Sequence, residues 1–321
     1  ARRAASGLAV SGALFVGVAT LDVIQQVLRA PGPNEKVSST GRLVCAGGPA
    51  TNAAVTCAAL GVPATLLSAV GHSVLGAAIR ADLTACGVRL VDAAAEPEAL
   101  PPVSAIAVGA GGERSVVSPN DILAVRPVGG PDDPSGLLAE VVGAAPAVVL
   151  TDGWYADLAV PVLDASRGRA VRVLDGGSLK ASTAALLDRV EVAVVSADFR
   201  PPGRESDAEV LDWLADAGVR YAAMTRGEAS VLYRWGSARG EVGIPVVDVV
   251  DTLGAGDIFH GAFVAALVRL GVAPGELDRV DPVGPLRAAA GVAARSVRTF
   301  GTREWRRTLS EREATSRTAP A

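Results

Sequence analysis

Residues 245–270 read PVVDVVDTLGAGDIFHGAFVAALVRL, and this stretch decides how the rest of the chain is interpreted. Its first part, Val246–Val250, is a β-branched run that predicts a buried strand. Gly254-Ala255-Gly256 predicts a tight turn, and the residues from Asp257 onward have helical spacing. The apolar positions are Ile258, Phe259, Ala262, Phe263, Ala266, Leu267 and Leu270. We therefore expect the glycines between a strand and a helix with one apolar face.

A glycine turn in this place can bind an anion, because the first turn of a helix presents free N–H groups and the positive end of the helix dipole. Glycine lets a phosphate approach the backbone closely. Asp257 would lie in that turn, where its carboxylate could take a proton from a hydroxyl that attacks the phosphate. Alternatively, Asp257 only stabilises the helix terminus.

Known motifs of other enzyme classes are absent from the sequence. Phe259 stands where the dinucleotide-binding fingerprint has its third glycine. The chain contains no G-x-x-x-x-G-K-[ST] loop and no G-x-S-x-G nucleophile elbow. The glycine turn is therefore neither a dinucleotide site nor a P-loop.

Over most of its length the chain alternates short apolar runs with Ala-rich runs of helical spacing. Besides Val246–Val250, the predicted strands are Leu14–Val18, Thr65–Val70, Ala147–Thr151, Val171–Asp175, Val192–Ser196 and Tyr221–Thr225. The predicted helices are Thr51–Leu60, Val74–Cys86, Ser135–Val142, Ala159–Ala165, Thr183–Leu187 and Ala208–Ala217. This alternation predicts an α/β fold with a doubly wound, mostly parallel sheet and helices on both faces.

Two stretches, Val23–Val44 and Val103–Val117, do not fit the alternation. The first is extended around Pro31-Gly32-Pro33, and the second has the pattern of a hairpin. Extra strands of this kind predict a small β-sheet that projects from the main domain as a lid, or else an ordinary decorating hairpin. We expect residues 1–308 to form one domain with this lid, and the polar residues 309–321 to form a tail.

The composition limits the classes of partner. The chain of 321 residues has a formal net charge of -4 and no basic block, which argues against nucleic acid as the main partner. The three cysteines, Cys45, Cys57 and Cys86, lack the spacing of zinc ligands. Because the chain has only two histidines, we expect no His/Cys metal site, and buried thiols in a reducing compartment.

The apolar run Leu8–Leu21 has two interpretations. Because Arg2 and Arg3 precede it, it resembles a signal peptide. Its strand-forming residues and the acidic Asp22 that follows them favour a buried first strand instead. No segment reaches the roughly 18 uninterrupted apolar residues of a membrane span. We therefore expect a cytoplasmic protein without a membrane partner.

Two motifs carry a family resemblance. Asp251–Asp257, DTLGAGD, resembles the C-terminal signature of the ribokinase (PfkB) family, usually D-T-x-G-A-G-D. Gly47–Asn52, GGPATN, resembles the family's Gly-Gly signature with its Asn. Weaker similarities lie in Gly17–Ile24, Gly71–Gly87, Gly112–Ser115 and Thr225–Gly227. The resemblance covers residues 8–305, and two ordered signatures are far more specific than either alone.

This resemblance implies a sugar kinase and a role for each matching position. Asp257 would be the general base. The backbone N–H groups implied to hold the transferring phosphate belong to Gly254, Ala255, Gly256 and Asp257. The residues implied to bind the sugar are Asp22, Gly47, Gly48, Asn52 and, from the lid, Arg114.

The resemblance also implies cofactors and a partner. Thr225 and Gly227 would bind ATP together with the glycine turn, and the reaction would need Mg²⁺. Backbone carbonyl groups of Asp251 and Leu253 would hold a monovalent cation such as K⁺. Many relatives form homodimers through the small sheet. A polar outer face would remove the need for such a partner, and the candidates for polar side chains there are Gln25, Gln26, Arg42 and Arg114.

The chain departs from the family pattern at three places. The N-x-x-E element near the nucleotide magnesium reads Ser196-Ala197-Asp198-Phe199, so Asp198 would have to replace its acidic residue. His72 stands where many relatives carry an acid, and His260 where many carry Asn. His260 lies one helical turn beyond Asp257 and so can reach the site.

The motif text is most similar to that of ketohexokinases, through Leu21–Ile24 and Asp251–Asp257, while His260 is similar to bacterial sulfosugar kinases. The candidate aromatics for stacking a nucleoside base are only Phe15, Trp154 and Tyr155. We therefore favour a free sugar phosphorylated at a primary hydroxyl. The alternatives are a nucleoside, sulfosugar or sugar-phosphate kinase, or a sugar-binding regulator without catalysis. The complete glycine turn argues against the regulator, and the altered magnesium region supports it.

Overall fold

The computed structural model describes residues 12–119, 121–129, 133 and 136–309. The predicted tail, apart from residue 309, lies outside the described residues, as do residues 8–11 of the N-terminal apolar run and residue 135 of a predicted helix. No helix within the described ranges combines the length and apolar character needed to cross a membrane.

Among the described residues, nine strands form a large sheet in the order β13-β12-β11-β10-β9-β8-β1-β4-β5. Their bounds are β1 Ala13–Val16, β4 Ala64–Ser68, β5 Val88–Asp92, β8 Val148–Thr151, β9 Val171–Gly176, β10 Val192–Ser196, β11 Tyr221–Arg226, β12 Ala229–Trp235 and β13 Ala238–Val242. In this spatial order, all neighbouring strands between β11 and β5 pair in parallel, whereas β12 and β13 form an antiparallel edge beside β11. The predicted mostly parallel sheet is confirmed.

Helices cover both faces of this sheet. Their bounds are α1 Pro49–Ala59, α2 Val74–Ala85, α3 Leu137–Gly143, α4 Ala156–Ala165, α5 Ala184–Leu187, α6 Asp207–Asp216, α7 Ala255–Leu270 and α8 Val283–Ser296. Phe15 packs into the core that contains α1, α7 and α8. Its neighbours Leu14 and Val16 pack into the core that contains α4 and α6. Successive side chains of a strand point to opposite faces, so β1 belongs to two separate cores.

Four further strands of the described chain form a small sheet in the order β3-β2-β6-β7, with β2 Thr20–Val27, β3 Ser39–Gly47, β6 Val103–Val108 and β7 Arg114–Val117. Its inner face buries Ile24, Cys45 and Ile106 against Leu253 and Phe300 of the main domain. The small sheet was predicted, but it begins earlier than the predicted bounds. Asp22 therefore lies within the small sheet, although the resemblance suggested the end of the first strand.

The predicted buried strand Val246–Val250 is wrong. This segment pairs with no strand among the described residues, and Val246 is fully exposed. The N–H groups of Val250 and Asp251 both donate to the Val297 carbonyl. The physical reason is that the hairpin β12–β13, which the sequence analysis did not predict, turns the edge of the sheet antiparallel. The chain then leaves the sheet before it reaches the glycine turn.

The helix after the glycine turn also differs from its prediction. Instead of one apolar stripe, α7 buries side chains around most of its circumference, including Val264, Ala265 and Val268, which lie outside the predicted stripe. It packs against both α1 and α8 as well as the sheet. A helix that is apolar on all sides is typical of a core position.

The contact between α1 and α7 is close because α7 has a glycine there. A Cβ atom built on Gly261 would lie 2.3 Å from the Ala53 carbonyl oxygen and 2.7 Å from Cβ of Thr56. Real Cβ atoms do not approach other atoms so closely. Any side chain at residue 261 would therefore force the two helices apart.

Replacing Gly261 with Ala should lower the free energy of unfolding by about 1–3 kcal/mol, the usual cost of overpacking a core. Gly291→Ala is the matched control, because Gly291 lies in α8 and its added Cβ meets no atom within 4 Å. The control should be neutral or stabilising by up to about 1 kcal/mol. Urea unfolding followed by tryptophan fluorescence measures both variants. Equal stabilities would contradict a tight α1–α7 contact.

Candidate active site

A cavity of about 230 Å³ lies beneath the small sheet, where β1 and β8 end. The predicted site residues that line it are Asp22, Gly48, Asn52, Leu253, Gly254 and Asp257. They come from the small sheet, from the start of α1 and from the start of α7. The fold thus brings together residues that are up to 235 positions apart in the sequence numbering.

The glycine turn presents free amide groups at the start of α7. Gly254 is left-handed, with φ 69°, and a Cβ atom there would lie 2.8 Å from Cγ2 of Thr302. The helix begins at Ala255, so Asp257 lies in its first turn as predicted. The N–H groups of Gly256 and Asp257 have no acceptor among the described residues. Such a helix terminus is suited to hold an anion.

Asp257 is the carboxylate at this terminus. Its Oδ2 accepts a hydrogen bond of 2.9 Å from Nδ2 of Asn52. The pKa of Asp257 is raised to about 7, first by burial and then by the negative charge of Asp175. The hydrogen bond from Asn52 and the charge of His260 oppose that rise. A carboxyl whose pKa lies near neutrality is matched to the work of a general base.

The Asn52 amide is oriented from its other side by Arg303. Nη1 of Arg303 donates to Oδ1 of Asn52 at 3.0 Å, so the NH₂ group of Asn52 must face Asp257. Arg303 is itself buried and pairs with Asp82 at 3.1 Å, and it donates to the Ala46 carbonyl. Sequence reasoning missed Arg303, because no local motif distinguishes it from the other arginines near the C-terminus.

Asp22 reaches the cavity from β2. Its Oδ1 accepts a hydrogen bond of 2.6 Å from the Thr20 hydroxyl. Burial raises the pKa of Asp22, while hydrogen bonds from Thr20 and Ser104 oppose the rise. A Cβ atom on Gly47 would lie 2.0 Å from Oδ2 of Asp22, so Gly47 leaves space for this carboxylate. Gly48, with φ 99°, precedes α1 and lies against the Val18 carbonyl, where only glycine fits.

Asp152 is a carboxylate that sequence reasoning missed, and it joins three backbone segments at the floor of the cavity. Its Oδ2 accepts from the N–H groups of Val18 at 2.9 Å and Ala50 at 3.2 Å, and its Oδ1 accepts from Trp154 at 3.0 Å. Burial raises the pKa of Asp152 to about 6. The signal that could have found it is its position directly after the predicted strand Ala147–Thr151, at the edge where α/β sheets bind ligands.

Seven predicted residues are not in the described lining of the cavity: Gly47, Arg114, Thr225, Gly227, Asp251, Ala255 and Gly256. Arg114 is exposed and donates to Oγ1 of Thr252 at 2.8 Å, so it joins the small sheet to the segment before the glycine turn. Thr225 ends the parallel part of the sheet in β11, and Gly227 lies in the turn to β12. If these two bind a ligand, it is one that lies beside the cavity.

Asp251 is buried and uses both carboxylate oxygens for backbone N–H groups. Oδ1 accepts from Leu253 at 2.8 Å, and Oδ2 accepts from Gly301 at 2.7 Å. The carboxylate therefore fixes the segment before the glycine turn. In the described part of the chain, no group of three or more His, Cys, Asp or Glu residues is arranged to hold a metal ion.

Comparison with known proteins agrees with this geometry. Residues 12–125 and 192–308, more than half of the chain, match the pfkB family carbohydrate kinase model. A proposed ribokinase from Agrobacterium tumefaciens is 25% identical, with a TM-score of 0.78 over 97% of this chain and 100% of that one. An Arabidopsis thaliana ribokinase complexed with ribose and ATP is 21% identical, with a TM-score of 0.67 over 94% and 98%.

An adenosine kinase from Sinorhizobium meliloti has the same fold, at 19% identity and a TM-score of 0.71 over 95% of this chain and 100% of that one. The family match includes both motifs on which the resemblance was based, Gly47–Asn52 and Asp251–Asp257. The ribokinase-like fold class is likewise confirmed by these structures. The chain belongs to the pfkB family and is a carbohydrate kinase.

Proposed function

We propose that this kinase transfers the γ-phosphate of ATP to a primary hydroxyl of a free sugar, with Asp257 as the general base. The observation that carries the proposal is the position of Asp257. It is half-buried in the first turn of α7, it faces the cavity, and it lies beside two amide groups that have no acceptor among the described residues. The Arabidopsis ribokinase complexed with ribose and ATP supports the choice of ATP.

Each group would contribute a separate part of the transfer. Asp257 would remove the proton of the attacking hydroxyl, and the N–H groups of Gly256 and Asp257 would stabilise charge on the transferring phosphate. Asp22, Asn52 and the backbone at Gly48 would fix the sugar by hydrogen bonds, because sugar hydroxyls need donors and acceptors at set positions. Thr225 and Gly227 would contact the nucleotide beside the cavity. The small sheet would exclude water that otherwise hydrolyses ATP.

The residues present fit a magnesium ion held mainly by the nucleotide. Mg²⁺ keeps several waters and needs only one or two protein carboxylates besides the phosphates. Asp198 follows β10 and is exposed. Its backbone N–H donates to the Ser196 hydroxyl, and its carboxylate could contact a magnesium ion bound to the nucleotide. When bound, Mg²⁺ would neutralise charge on the phosphates. A K⁺ ion would have to use the carbonyl groups of Asp251 and Leu253, because the Asp251 carboxylate is already occupied.

The cavity favours a small neutral substrate. Its volume of about 230 Å³ lies below the roughly 300–1,000 Å³ of pockets for drug-sized ligands. The charged residues among its described lining are Asp22, Asp121 and Asp257, with no Lys or Arg. Carboxylates repel a sulfonate or a phosphate, so a sulfosugar or sugar phosphate is disfavoured. Trp154 is the single aromatic of that lining, which disfavours a nucleoside. A ketohexose-like sugar remains our preferred substrate.

Asp257→Asn should lower kcat by roughly 10²–10⁴-fold, the usual contribution of a positioned base. ATP affinity should survive, because a carboxylate repels phosphate. Asp248→Asn, an exposed residue of the preceding loop, is the matched control and should leave kcat unchanged. Steady-state kinetics over a panel of sugars, with ATP binding by calorimetry, measures both. An unchanged kcat together with reduced stability would mean that Asp257 only caps the helix.

Chelation should abolish the activity, because few basic residues near the cavity can neutralise the phosphates. Added Mg²⁺ should restore it, and K⁺ should give a faster rate than Na⁺ at equal ionic strength. A coupled assay for ADP measures each condition. Full activity in EDTA would overturn the magnesium assignment, and equal rates in K⁺ and Na⁺ would overturn the K⁺ assignment.

We also propose that residues 1–308 form one kinase domain whose small sheet pairs with a second copy of the chain. The register aligns one outward row across all four strands. That row consists of Val23, Val44, Ala105 and Val117. Val44 is 54% exposed and Val117 is 74% exposed. An apolar row in water is typical of an interface, and a two-fold axis would cover it with its own copy.

The four polar side chains that were considered for the outer face do not all lie on it. Gln25 and Arg42 are register partners in the next outward row, where they would rim the apolar row. Gln26 and Arg114 alternate with them and lie on the inner side, in register with the buried Val108. The outer face is therefore apolar with a polar border, which supports the dimer over a fully solvated sheet.

Sedimentation velocity at micromolar concentration should show a dimer, and the double variant Val44→Glu/Val117→Glu should be a monomer, because four carboxylates would meet across the axis. Leu270→Glu is the control. It removes an exposed apolar residue at the opposite end of α7 and should leave the dimer intact. A monomeric wild-type enzyme with normal kcat would overturn the dimer and leave the lid function untouched.

A further inference from the structure

His260 lies buried beneath the catalytic turn, with both ring nitrogens facing backbone carbonyl oxygens. Nδ1 is 2.7 Å from the Gly256 oxygen in the first turn of α7. Nε2 is 3.0 Å from the Val194 oxygen in β10. The side chain is 4% exposed, so water does not compete for either nitrogen.

A carbonyl oxygen only accepts hydrogen bonds, so each ring nitrogen must carry a proton to satisfy this arrangement. A neutral imidazole has one proton and would direct a lone pair at one of the two oxygens. The doubly protonated imidazolium donates to both. The geometry therefore favours a positive charge on His260 in the interior of the protein.

A buried positive charge needs a partner, and Asp175 supplies one. Its Oδ2 lies 3.3 Å from Nδ1 of His260, and the Asp175 side chain is also 4% exposed. That oxygen makes no hydrogen bond to any other described group. Asp175 is near the carboxyl end of β9, so the pair joins α7 to two adjacent strands of the sheet. Removing one member of such a pair is costly, because the other charge remains buried alone.

We propose that His260 is a positioning residue: a buried imidazolium, paired with Asp175, that fixes the first turn of α7 on the sheet and sets the charge beside the base. This inference rests on the proposed role of Asp257. Through Gly256, His260 holds the peptide next to Asp257 and the amides that face the cavity. His260 itself does not line the cavity.

The two members of the pair act on Asp257 with opposite signs. The negative charge of Asp175 raises the pKa of Asp257, and the positive charge of His260 lowers it. Asp22, across the cavity, raises it by a smaller amount. Arg303 reaches Asp257 only through the amide of Asn52. Two other buried carboxylates lie in this region: Asp152, whose charge interacts with Asp175, and Asp251, which accepts two backbone hydrogen bonds before the glycine turn. Because a base must be ionised, the pair sets the pH below which activity is lost.

The protonation state can be measured directly, because the chain contains only His72 and His260. In histidine labelled with ¹⁵N, both ring nitrogens of His260 should carry protons near neutral pH. The exposed His72 gives the second pair of signals in the same spectra, and His72→Asn assigns them. A neutral His260 with one protonated nitrogen near neutral pH would overturn the proposal. This result does not depend on whether Asp257 is the base.

The effect on the base is measured by pH profiles of kcat for two single variants and their combination. His260→Gln should move the acidic limb, expected near pH 7 in the wild type, upward by about one pH unit. Asp175→Asn should move it downward, and the double variant should return toward the wild type. His72→Gln should leave the limb in place. Shifts of the same sign, or lower kcat with an unmoved limb in folded variants, would overturn the charge effect.

The proposed role of Asp257 and the proposed role of His260 are tested by different experiments. If Asp257→Asn keeps full activity, the acidic limb belongs to another group, while the NMR result on His260 still decides whether the buried imidazolium exists. If Asp257→Asn is inactive and the limbs of the two single variants do not separate, the pair does not set the charge at the base. The two proposals therefore fail in different experiments.

Discussion

The contact of α1 with α7 at Gly261 and Ala53 is the constraint on which the active site depends. The two helices come from parts of the chain that are about 200 residues apart, and backbone touches backbone where they cross. One helix carries Asn52 and the other Asp257, and their side chains meet at 2.9 Å because the helices approach so closely. The short distance between Asn52 and Asp257 therefore depends on the absence of a side chain at Gly261.

Around that crossing the protein buries more negative than positive charge. Asp22, Asp152 and Asp175 are nearly inaccessible to water, and Asp257 is half-buried where it faces the cavity. Burying an ionised carboxylate lowers the stability of the fold unless hydrogen bonds or nearby cations stabilise its charge. Asp152 receives three backbone N–H groups, and Asp22 receives hydroxyls. The charges of Asp175 and Asp257 are stabilised by side chains from other elements, His260 and Asn52. The excess of negative charge in this region helps to raise the pKa of Asp257.

Much of this fold could be predicted from sequence, since short continuous apolar runs mark most of the parallel strands and helical spacing marks most of the helices between them. The glycine turn likewise identified the start of α7 and Asp257. The hairpin β12–β13 was not predicted, because its strands mix polar and apolar residues. The apolar segment Val246–Val250 was predicted as a strand, but it lies exposed outside the sheet. Arg303 could not be found locally, because its partners lie on distant elements and a lone Arg has no pattern. Asp175 ends a predicted strand, but the sequence does not show that its partner is His260 of a distant helix.

The hydrogen bond from Arg303 to Asn52 also has a consequence for how the enzyme is made. These residues are 251 positions apart, and Trp305 beside Arg303 is fully buried. At a synthesis rate of about 5–20 residues per second, Asn52 is translated on the order of 10–50 s before its partner exists. During that interval a nascent chain has the Gly-Gly turn but lacks the cation that orients its amide. A polypeptide released before residue 303 would contain Asp257 and the glycine turn, but it would lack the Arg303 hydrogen bond that orients the Asn52 amide.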